Sequence, residues 1–374
     1  MRISPKITEE LNNKAFNPTG KTSVVGLDGF VDKIVTPVDK RHGLEDNFDA
    51  IETIGELGSR ISDAAGKSAN IELYPRFDKL GGNGPIMANA LLSLGLGVRY
   101  VGALGRPLID PVFKEFAQKT EAVSLTDPGI TTAAEFKDGK LMFGNMRSLG
   151  EIDYQRILEV CGEGAFIDML AKADVISIVN WTMIPKMTSI LTEIVERIMP
   201  NLPPRDTRNF FFDLTDPAKR SAEDIREVLR VITRFQAHCE VNLGLNFNEA
   251  LQVSETLGLP KGEKDEESLK TTATEIRRKL EISSVVVHPV ESAACATKDG
   301  AWWCEGPFTD NPKITTGAGD HFNAGFSSAR LCGFSPLTSL ALATCTSGHY
   351  VRTAQSPSAS QVVDLLRKSA EESS

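Results

Sequence analysis

The sequence lacks any apolar run that could cross a membrane, because no stretch approaches the roughly 20 consecutive apolar residues that a spanning helix needs. An apolar leader segment is also missing, since the chain from Met1 to Lys14 is rich in polar and charged residues. Hydrophobic residues make up 41% of the sequence and charged residues 24%, as in ordinary globular proteins. We therefore expect a soluble, cytoplasmic protein without a membrane partner.

A surplus of basic residues is absent as well. Lys and Arg number 41 against 50 Asp and Glu, which gives a formal net charge of −9 at pH 7. Because nucleic-acid binding needs a basic footprint, we expect no nucleic-acid partner. An anionic ligand would have to be held by local dipoles, a few cations or a metal ion.

Several motifs of common enzyme classes are missing. The six cysteines contain no C-x-x-C pair, which indicates reduced, mostly buried thiols. There is no G-x-x-x-x-G-K-[ST] and no G-x-G-x-x-G after the first predicted strand, so a Walker-type NTPase and a dinucleotide dehydrogenase are disfavoured. The absence of H-E-x-x-H and G-x-S-x-G likewise disfavours zinc proteases and α/β-hydrolases.

The most informative stretch that is present is Thr315-Thr316-Gly317-Ala318-Gly319-Asp320, directly before an apolar run with helical spacing. Free backbone amides at a helix start, together with the helix dipole, form a site for an anion such as a phosphate. The carboxylate of Asp320 would then lie beside the phosphate, where it could accept the proton of a hydroxyl nucleophile. A tight turn capped by an acid is the alternative.

Strands and helices are predicted to alternate from residue 150 onward, which is typical of crossover units in a parallel sheet. The strands predicted for the main sheet are Ser23–Leu27, Arg99–Leu104, Asp174–Val179, Phe210–Asp213, Glu240–Leu245, Ser284–His288 and Ala293–Thr297. Helical spacing is found over Asn47–Ala65, Ile184–Ile198, Ala222–Ala237, Phe247–Leu257 and Glu267–Leu280, and again over Pro336–Arg352. An alternating segment at Ile71–Phe77 and a hairpin around Asp138-Gly139 predict further strands outside that sheet. With no repeat or linker, we expect one α/β domain, residues 1–374.

Polar residues follow several predicted strands. Asp28 and Asp32 come after the first strand, where they are either ligand-binding acids or solvated loop residues. Asn83, in the turn Gly81-Gly82-Asn83-Gly84, can contact a polyol, cap a helix, or do both. Asn246 and Glu249 have the spacing of a hydrated Mg²⁺ site and equally that of a capping box.

Three of these blocks, in this order, resemble the ribokinase-like (PfkB) carbohydrate kinases. Gly81 to Ala90 resembles the family's first signature, Asn246-Phe247-Asn248-Glu249 its Asn-x-x-Glu element, and Gly317 to Asp320 the Gly-Ala-Gly-Asp of its second signature. The resemblance implies a mostly parallel central sheet flanked by helices on both faces. It also implies a small β-sheet lid, with strands from about 29–38, 71–79 and 131–147.

The resemblance also implies the activity and the site: ATP-dependent phosphorylation of a hydroxyl, preferably primary, of a sugar or sugar-like substrate. Asp320 would be the general base, and the backbone of Gly317, Ala318 and Gly319 the anion hole. Thr316 and Gly348 would contact the nucleotide, and Mg²⁺ would be held through water. The residues implied for Mg²⁺ are Asn246 and Glu249, and those implied for the substrate are Asp32 or Asp28, Gly82 and Asn83.

Other interpretations stay open. The same scaffold could serve a nucleoside or vitamin kinase, or a catalytically silent ligand-binding relative. The family's lids often pair between subunits, which allows a homodimer. Two departures from the family lie at the anion loop. Ile314 stands where many relatives carry an Asp associated with a monovalent cation, so we expect weak or absent K⁺ activation. His321 stands where a small residue is usual, and a packing role is favoured for it.

Overall fold

The computed structural model describes residues 4–205 and 207–371, which form two β-sheets and a set of helices. The strands in these ranges are β1 (Thr22–Leu27), β2 (Phe30–Arg41), β3 (Phe48–Ala50), β4 (Leu73–Gly81), β5 (Gly97–Ala103), β6 (Val123–Thr126), β7 (Gly129–Phe136), β8 (Gly139–Asn145), β9 (Val175–Val179), β10 (Asn209–Asp213), β11 (Glu240–Asn246), β12 (Ser284–His288), β13 (Ser292–Thr297) and β14 (Gly300–Glu305).

The α-helices in the same ranges are α1 (Pro5–Asn13), α2 (Ile54–Asp63), α3 (Asn83–Leu94), α4 (Lys114–Lys119), α5 (Tyr154–Cys161), α6 (Glu163–Lys172), α7 (Met187–Glu193), α8 (Ala222–Arg234), α9 (Phe247–Thr256), α10 (Glu266–Leu280), α11 (Ala318–Leu331), α12 (Pro336–Thr353) and α13 (Ala359–Glu371). In the part of the chain that the structure describes, none of them has both the length and the apolar character of a membrane-crossing helix.

The main sheet has nine strands in the order β14-β13-β12-β11-β10-β9-β1-β5-β6. The pairs from β12 to β6 are parallel, and β13 and β14 continue the sheet as an antiparallel hairpin. Successive residues of a strand enter opposite cores: Phe210 and Phe212 pack on one face, and Phe211 packs on the other. This alternation, with every residue of β10 buried, shows that helices cover both faces of the sheet.

The two helical layers divide the chain between them. Helices α5 to α10 contribute to the core on one face of the main sheet. The opposite core receives α3, α11, α12 and α13, together with α1 and α4. The predicted α/β fold, with helices on both faces of a mostly parallel sheet, is therefore confirmed.

The second sheet is smaller and has the strand order β3-β2-β7-β8. A fifth strand, β4, also pairs with β2. β2 is parallel to β7 and antiparallel to β4. The hairpin around Asp138-Gly139 is confirmed, because β7 and β8 pair antiparallel on either side of it. The alternating segment near residue 71 is confirmed as a strand, β4, although it begins only at Leu73.

The strands predicted for the main sheet are all present within one or two residues of their bounds. The helix predicted over Asn47–Ala65 is wrong in its first part. Phe48 lies in the strand β3, where its ring packs on Tyr74 at a centroid distance of 5.0 Å. The helix starts only after Thr53, whose side chain accepts the amide of Glu56 while the Glu56 carboxylate accepts the amide of Thr53. This capping box stops the helix from extending backward.

The helix predicted over Ile184–Ile198 is also irregular. α7 begins only at Met187, and after Glu193 the chain widens into a π-helical turn over Ile194–Ile198. The apolar spacing that predicted this helix continues through the wider turn, because Ile194, Val195 and Ile198 are all buried.

The turn between β4 and α3 is packed directly against β1 and β5. Gly84 has no room for a side chain, because a Cβ there would clash with the Tyr100 hydroxyl and stand 2.6 Å from Asp28 Oδ1. The turn is therefore held in one position relative to the main sheet.

We expect Gly84→Ala to destabilise the protein by about 1–3 kcal/mol, as overpacking of a filled core does. Gly58→Ala is the matched control: Gly58 lies on an exposed part of α2 with nothing within 4 Å of its Cβ position. That change should stabilise by about 0.5–1 kcal/mol through helix propensity. Thermal and urea unfolding of both variants measure the difference, and equal stability would contradict the close packing at Gly84.

Candidate active site

A cavity of about 460 Å³ opens at the carboxyl end of strands β10, β11 and β12, beside the start of α11 and the side of α12. In open α/β sheets this edge is where ligands bind. The structure brings many of the site residues predicted from sequence to its wall: Asn83, Asn246, Glu249, Gly317, Ala318, Gly319, Asp320 and Gly348. The other four predicted residues, Thr316, Asp28, Asp32 and Gly82, are not part of this wall.

The start of α11 presents free amides to the cavity. Gly317 precedes the helix with φ +91°, a conformation that favours glycine. The amide of Ala318 already donates to the Thr315 carbonyl at 3.2 Å. The amides of Gly317, Gly319 and Asp320 have no acceptor among the described residues. The free backbone amides are therefore those of Gly317, Gly319 and Asp320, whereas the sequence predicted those of Gly317, Ala318 and Gly319.

Two aromatic side chains hold the carbonyls of this loop. The Tyr350 hydroxyl donates to the Thr316 carbonyl at 3.2 Å, and His321 Nδ1 donates to the Gly317 carbonyl at 2.8 Å. Nδ1 must be the donor because a carbonyl only accepts. Burial lowers the pKa of His321 to about 4, so the ring is neutral and its Nε2 accepts the Ser356 hydroxyl at 2.9 Å. The two rings stack with centroids 3.6 Å apart. His321 thus packs, as favoured from sequence, and it also orients the loop.

Asp320 is the third residue of α11 and is only 5% exposed. Its Oδ1 accepts a hydrogen bond from Asn83 Nδ2 at 3.0 Å, while Oδ2 has no partner among the described residues. Burial raises the pKa of Asp320 well above its ordinary value, and the carboxylates of Asp213, Asp28 and Glu249 add to the rise. The geometry leaves one oxygen available to accept a proton.

Asp28 is fully buried and not a solvated loop acid. Its Oδ1 accepts the amide of Gly84 at 2.8 Å, and its Oδ2 accepts the amide of Asn83 at 3.0 Å and the side chain of Asn180 at 2.6 Å. Burial raises the pKa of Asp28 to about 6 despite these bonds. The carboxylate is thus used inside the protein, where it holds the turn that carries Asn83.

Asp32 is also buried, at 5% exposure, in strand β2 of the second sheet. It lies opposite Lys79 on one neighbouring strand and Thr131 on the other. Burial raises the pKa of Asp32, while the charge of Lys79 and a hydrogen bond with Thr131 act in the opposite direction. A Cβ on Gly81 would stand 2.6 Å from the Asp32 carboxylate, so this acid lies directly against the turn that contains Gly82.

Asn246 and Glu249 form a capping box and line the cavity at the same time. Asn246 Oδ1 accepts the Glu249 amide at 3.0 Å, and Glu249 Oε2 accepts the Asn246 amide at 2.8 Å. Glu249 Oε1 also accepts the amide of Asp216 at 3.0 Å. Burial, followed by the charge of Asp213, raises the pKa of Glu249 to about 8. The capping interpretation is therefore correct, and it does not prevent these residues from facing a ligand.

Sequence reasoning missed Asp213, the last residue of β10, which also lines the cavity. Its Oδ1 accepts both the amide and the hydroxyl of Thr215 at 2.9 Å, and its Oδ2 accepts from Asn323 at 2.7 Å. Thr215 and Asp216 adopt positive φ, a sparsely populated conformation that often marks functional loops. The rule that ligands bind at carboxyl ends of parallel strands could have singled out Asp213, since it directly follows a buried aromatic run.

The donor set fits a hydrated divalent cation. Asp213, Glu249 and Asp320 line the same cavity, and none forms an ion pair with a described Lys or Arg. No cluster of three or more His, Cys, Asp or Glu in the described ranges could hold a metal ion directly. Mg²⁺ keeps several waters and takes few protein ligands, so buried acids of this kind suit it.

The outer part of the cavity is apolar. Val290 and Phe308 stand at its rim with 86% and 50% of their surface exposed. A Cβ on Gly348 would stand 2.5 Å from Pro307 Cγ, so the missing side chain lets the segment 306–308 approach α12. The space expected from the small residue at 348 is therefore taken up by Pro307.

Similarity to known proteins extends over most of the chain. A family model described as prokaryotic ketohexokinase matches residues 7–368. The chain is similar to a ketohexokinase of Haloferax volcanii, with 26% identity over 342 residues, covering 90% of this chain and 88% of the relative.

Two solved structures are similar in fold. They are a carbohydrate kinase from Agrobacterium tumefaciens (TM-score 0.65, 16% identity, covering 93% of this chain and 97% of that one) and an Arabidopsis thaliana ribokinase complexed with ribose and ATP (TM-score 0.64, 16% identity, 93% and 99%). The ribokinase-like fold expected from sequence is thereby confirmed.

The raised pKa of Glu249 predicts a pH effect on stability. Since its pKa rises from 4.5 to about 8, the ligand-free folded protein binds more protons than the unfolded chain between these values. Stability must then fall as the pH rises through that window. Glu249→Gln removes this contribution. We therefore expect the melting temperature of the variant to rise relative to that of the wild type as the pH increases from 5 to 8. Thermal unfolding without Mg²⁺ measures this change, and a difference independent of pH would contradict the raised pKa of Glu249.

Proposed function

The chain belongs to the prokaryotic ketohexokinase family, within the ribokinase-like (PfkB) carbohydrate kinases, and from this we propose that it transfers the terminal phosphoryl group of ATP to a primary hydroxyl of a ketohexose. ATP-dependent phosphorylation of a sugar follows from the family, whereas the ketohexose and the residue roles are our proposal. The observation that carries it is the buried Asp320 carboxylate beside free amides at a helix start, in one cavity.

Asp320 serves as the general base. Asn83 occupies Oδ1, so Oδ2 accepts the proton of the attacking hydroxyl. The hydroxyl oxygen forms a bond to the γ-phosphorus, the bond from that phosphorus to the bridging oxygen breaks, and ADP leaves with the electron pair. Burial raises the pKa of Asp320, and the carboxylate must be in its charged form to accept this proton.

The amides of Gly317, Gly319 and Asp320, with the dipole of α11, stabilise the charge on the transferred phosphoryl oxygens. The Ala318 amide is bonded to the Thr315 carbonyl, and this bond closes the turn that orients the three free amides. The Tyr350 hydroxyl binds the Thr316 carbonyl, which belongs to the same peptide group as the Gly317 amide. Because the C=O and N–H of a trans peptide point in opposite directions, the Gly317 N–H points away from Tyr350.

Three residues hold the water shell of Mg²⁺ in this proposal: Asn246, Glu249 and Asp213. When bound, the ion offsets the charge of the ATP phosphates and of these buried acids. The adenine would enter the apolar outer cavity near Val290, Phe308 and Gly348. The side chain of Ile314 has no oxygen that could ligate K⁺, and weak or absent K⁺ activation stays a prediction.

The sugar would bind between the cavity and the second sheet, which acts as a lid. Asp32 accepts hydrogen bonds from sugar hydroxyls, with Lys79 and Thr131 beside it. Gly82 and Asn83 approach the same ligand, while Asp28 acts through the turn and not by direct contact. Pairing of two lids in a homodimer stays a prediction.

We expect ATP consumption with ketohexoses such as fructose to exceed that with aldoses, nucleosides and hydroxymethyl heterocycles by about 10-fold or more, the discrimination that a site hydrogen-bonded to its substrate gives. Coupled ADP release across the panel measures it, and product analysis identifies the hydroxyl. A preference for nucleosides or heterocycles would replace the sugar assignment, and no ADP release with any acceptor would indicate a silent relative.

Asp320→Asn should lower kcat by about 10²–10⁴-fold, the usual loss for a general base, while ATP binding changes little. The matched control is Asp364→Asn, an exposed acid on α13, which should leave turnover unchanged. Steady-state rates and titration with ATP and Mg²⁺ give both quantities. Near-normal turnover of Asp320→Asn would exclude the base role.

A further inference from the structure

The outer part of the cavity, where the proposed function places the base of the nucleotide, differs from the inner part in its side chains. The inner part lies at the strand ends and the helix starts and carries every charged or amide side chain of the described wall. The outer part is formed by the segments 289–292 and 306–312 and by the side of α12. Its described wall residues are only proline, valine, phenylalanine, glycine, serine and threonine.

The hydroxyl groups of the outer wall do not distinguish one purine from another. The Thr344 hydroxyl donates to a carbonyl of its own helix at 3.0 Å, and the Thr309 hydroxyl accepts the amide of Asn311 at 3.4 Å. Ser292 and Ser347 carry the other two hydroxyls. A hydroxyl rotates to donate or to accept, whereas adenine presents an amino group at position 6 and guanine an oxygen. Such a group therefore bonds to either base.

Backbone donors are scarce on the outer wall. Pro289, Pro307 and Pro312 have no N–H. The amides of Gly306 and Phe308 already donate to nearby carbonyls at 2.8 and 3.0 Å. Little of this backbone is therefore free to donate to a base.

The backbone groups that remain suit both purines. The amides of Val290 and Thr309 need an acceptor, and both adenine and guanine carry acceptor atoms on their edges. The carbonyls of Phe308 and Gly348 already accept hydrogen bonds from the guanidinium of Arg352, at 2.5 and 2.8 Å. Strong rejection of a base requires a fixed polar group that the base leaves unpaired, and the side chains of the described outer wall include no such group.

The apolar contacts are equally unselective. Phe308 has half of its surface exposed at the rim, and Val290 has more. Side chains of this kind pack on the face of a base, and the two purines share the same fused ring system. The contact area then contributes about equally to the binding of either base.

We propose that the nucleotide site accepts guanine as well as adenine, so that GTP serves as a phosphoryl donor alongside ATP. The inference rests on the proposed function, because it needs the triphosphate at the start of α11 and the base in the outer cavity. With GTP, the hydroxyl oxygen of the sugar forms a bond to the γ-phosphorus, and the bond from that phosphorus to the bridging oxygen breaks. GDP leaves with the electron pair, and Asp320 takes the proton of the hydroxyl.

Steady-state rates of sugar phosphate formation with Mg²⁺ and either ATP or GTP test the inference. We expect kcat/KM for GTP to lie within about 10-fold of the value for ATP, because a site without base-specific hydrogen bonds discriminates weakly. Chromatographic detection of the sugar phosphate avoids an assay that depends on ADP. A larger difference in either direction would overturn the inference.

Calorimetric titration with non-hydrolysable analogues of ATP and GTP, each with Mg²⁺, separates this inference from the proposed function. We expect both analogues to bind, with dissociation constants within about 10-fold of each other. Binding of the ATP analogue alone would contradict only the inference. Binding of neither analogue would contradict the proposed nucleotide site itself, and the inference with it.

Three variants locate the base. Phe308→Ala should weaken the binding of both analogues by the same factor, about 5-fold, because a half-exposed ring loses its apolar contact with either purine. Ser347→Ala should leave the ratio of the two constants unchanged, because its hydroxyl serves either base. Leu44→Ala removes an exposed apolar side chain from the loop between β2 and β3, and as the matched control it should change neither constant. No effect of Phe308→Ala, an effect on one analogue only, or a shifted ratio in Ser347→Ala would each overturn the inference.

Discussion

Four carboxyl groups without a Lys or Arg partner among the described residues are buried at one edge of the main sheet: Asp28, Asp213, Glu249 and Asp320. Burial disfavours their charged forms, and three of the groups raise the pKa of the fourth, Asp320. Such an arrangement is costly in the free protein. In the proposed function, a bound cation and a proton-donating substrate would offset this cost.

The acids are connected through one turn. Asp28 binds the amides of Asn83 and Gly84, and the side chain of Asn83 in turn binds Asp320. Asp28, which follows the first strand, is thus linked to Asp320 on α11 through the single residue Asn83. Asp32 lies against the same turn from the second sheet. In the proposed function, this one turn would position both the sugar hydroxyl and the Asp320 carboxylate.

Local signals predicted much of the fold. Buried strands such as β10 and β12 are short apolar runs, and the Asp-Gly hairpin is a local turn preference. Phe48 was placed wrongly in a helix because its spacing fits one, while cross-strand packing on Tyr74 decides otherwise. Asp213 was missed as a site residue because a single acid forms no motif, and only its place at the carboxyl end of a buried parallel strand distinguishes it.

By itself the sequence determined the α/β class, the amide-rich helix start at Gly317 and the acid that follows it, because these depend on neighbours within a few residues. Only the tertiary structure decided that Asp28 supports the turn and does not line the cavity, that Gly348 makes room for Pro307, and that Asp213 lies on the cavity wall. Those facts depend on burial and on contacts between distant segments. Spacing along the chain carries no information about either.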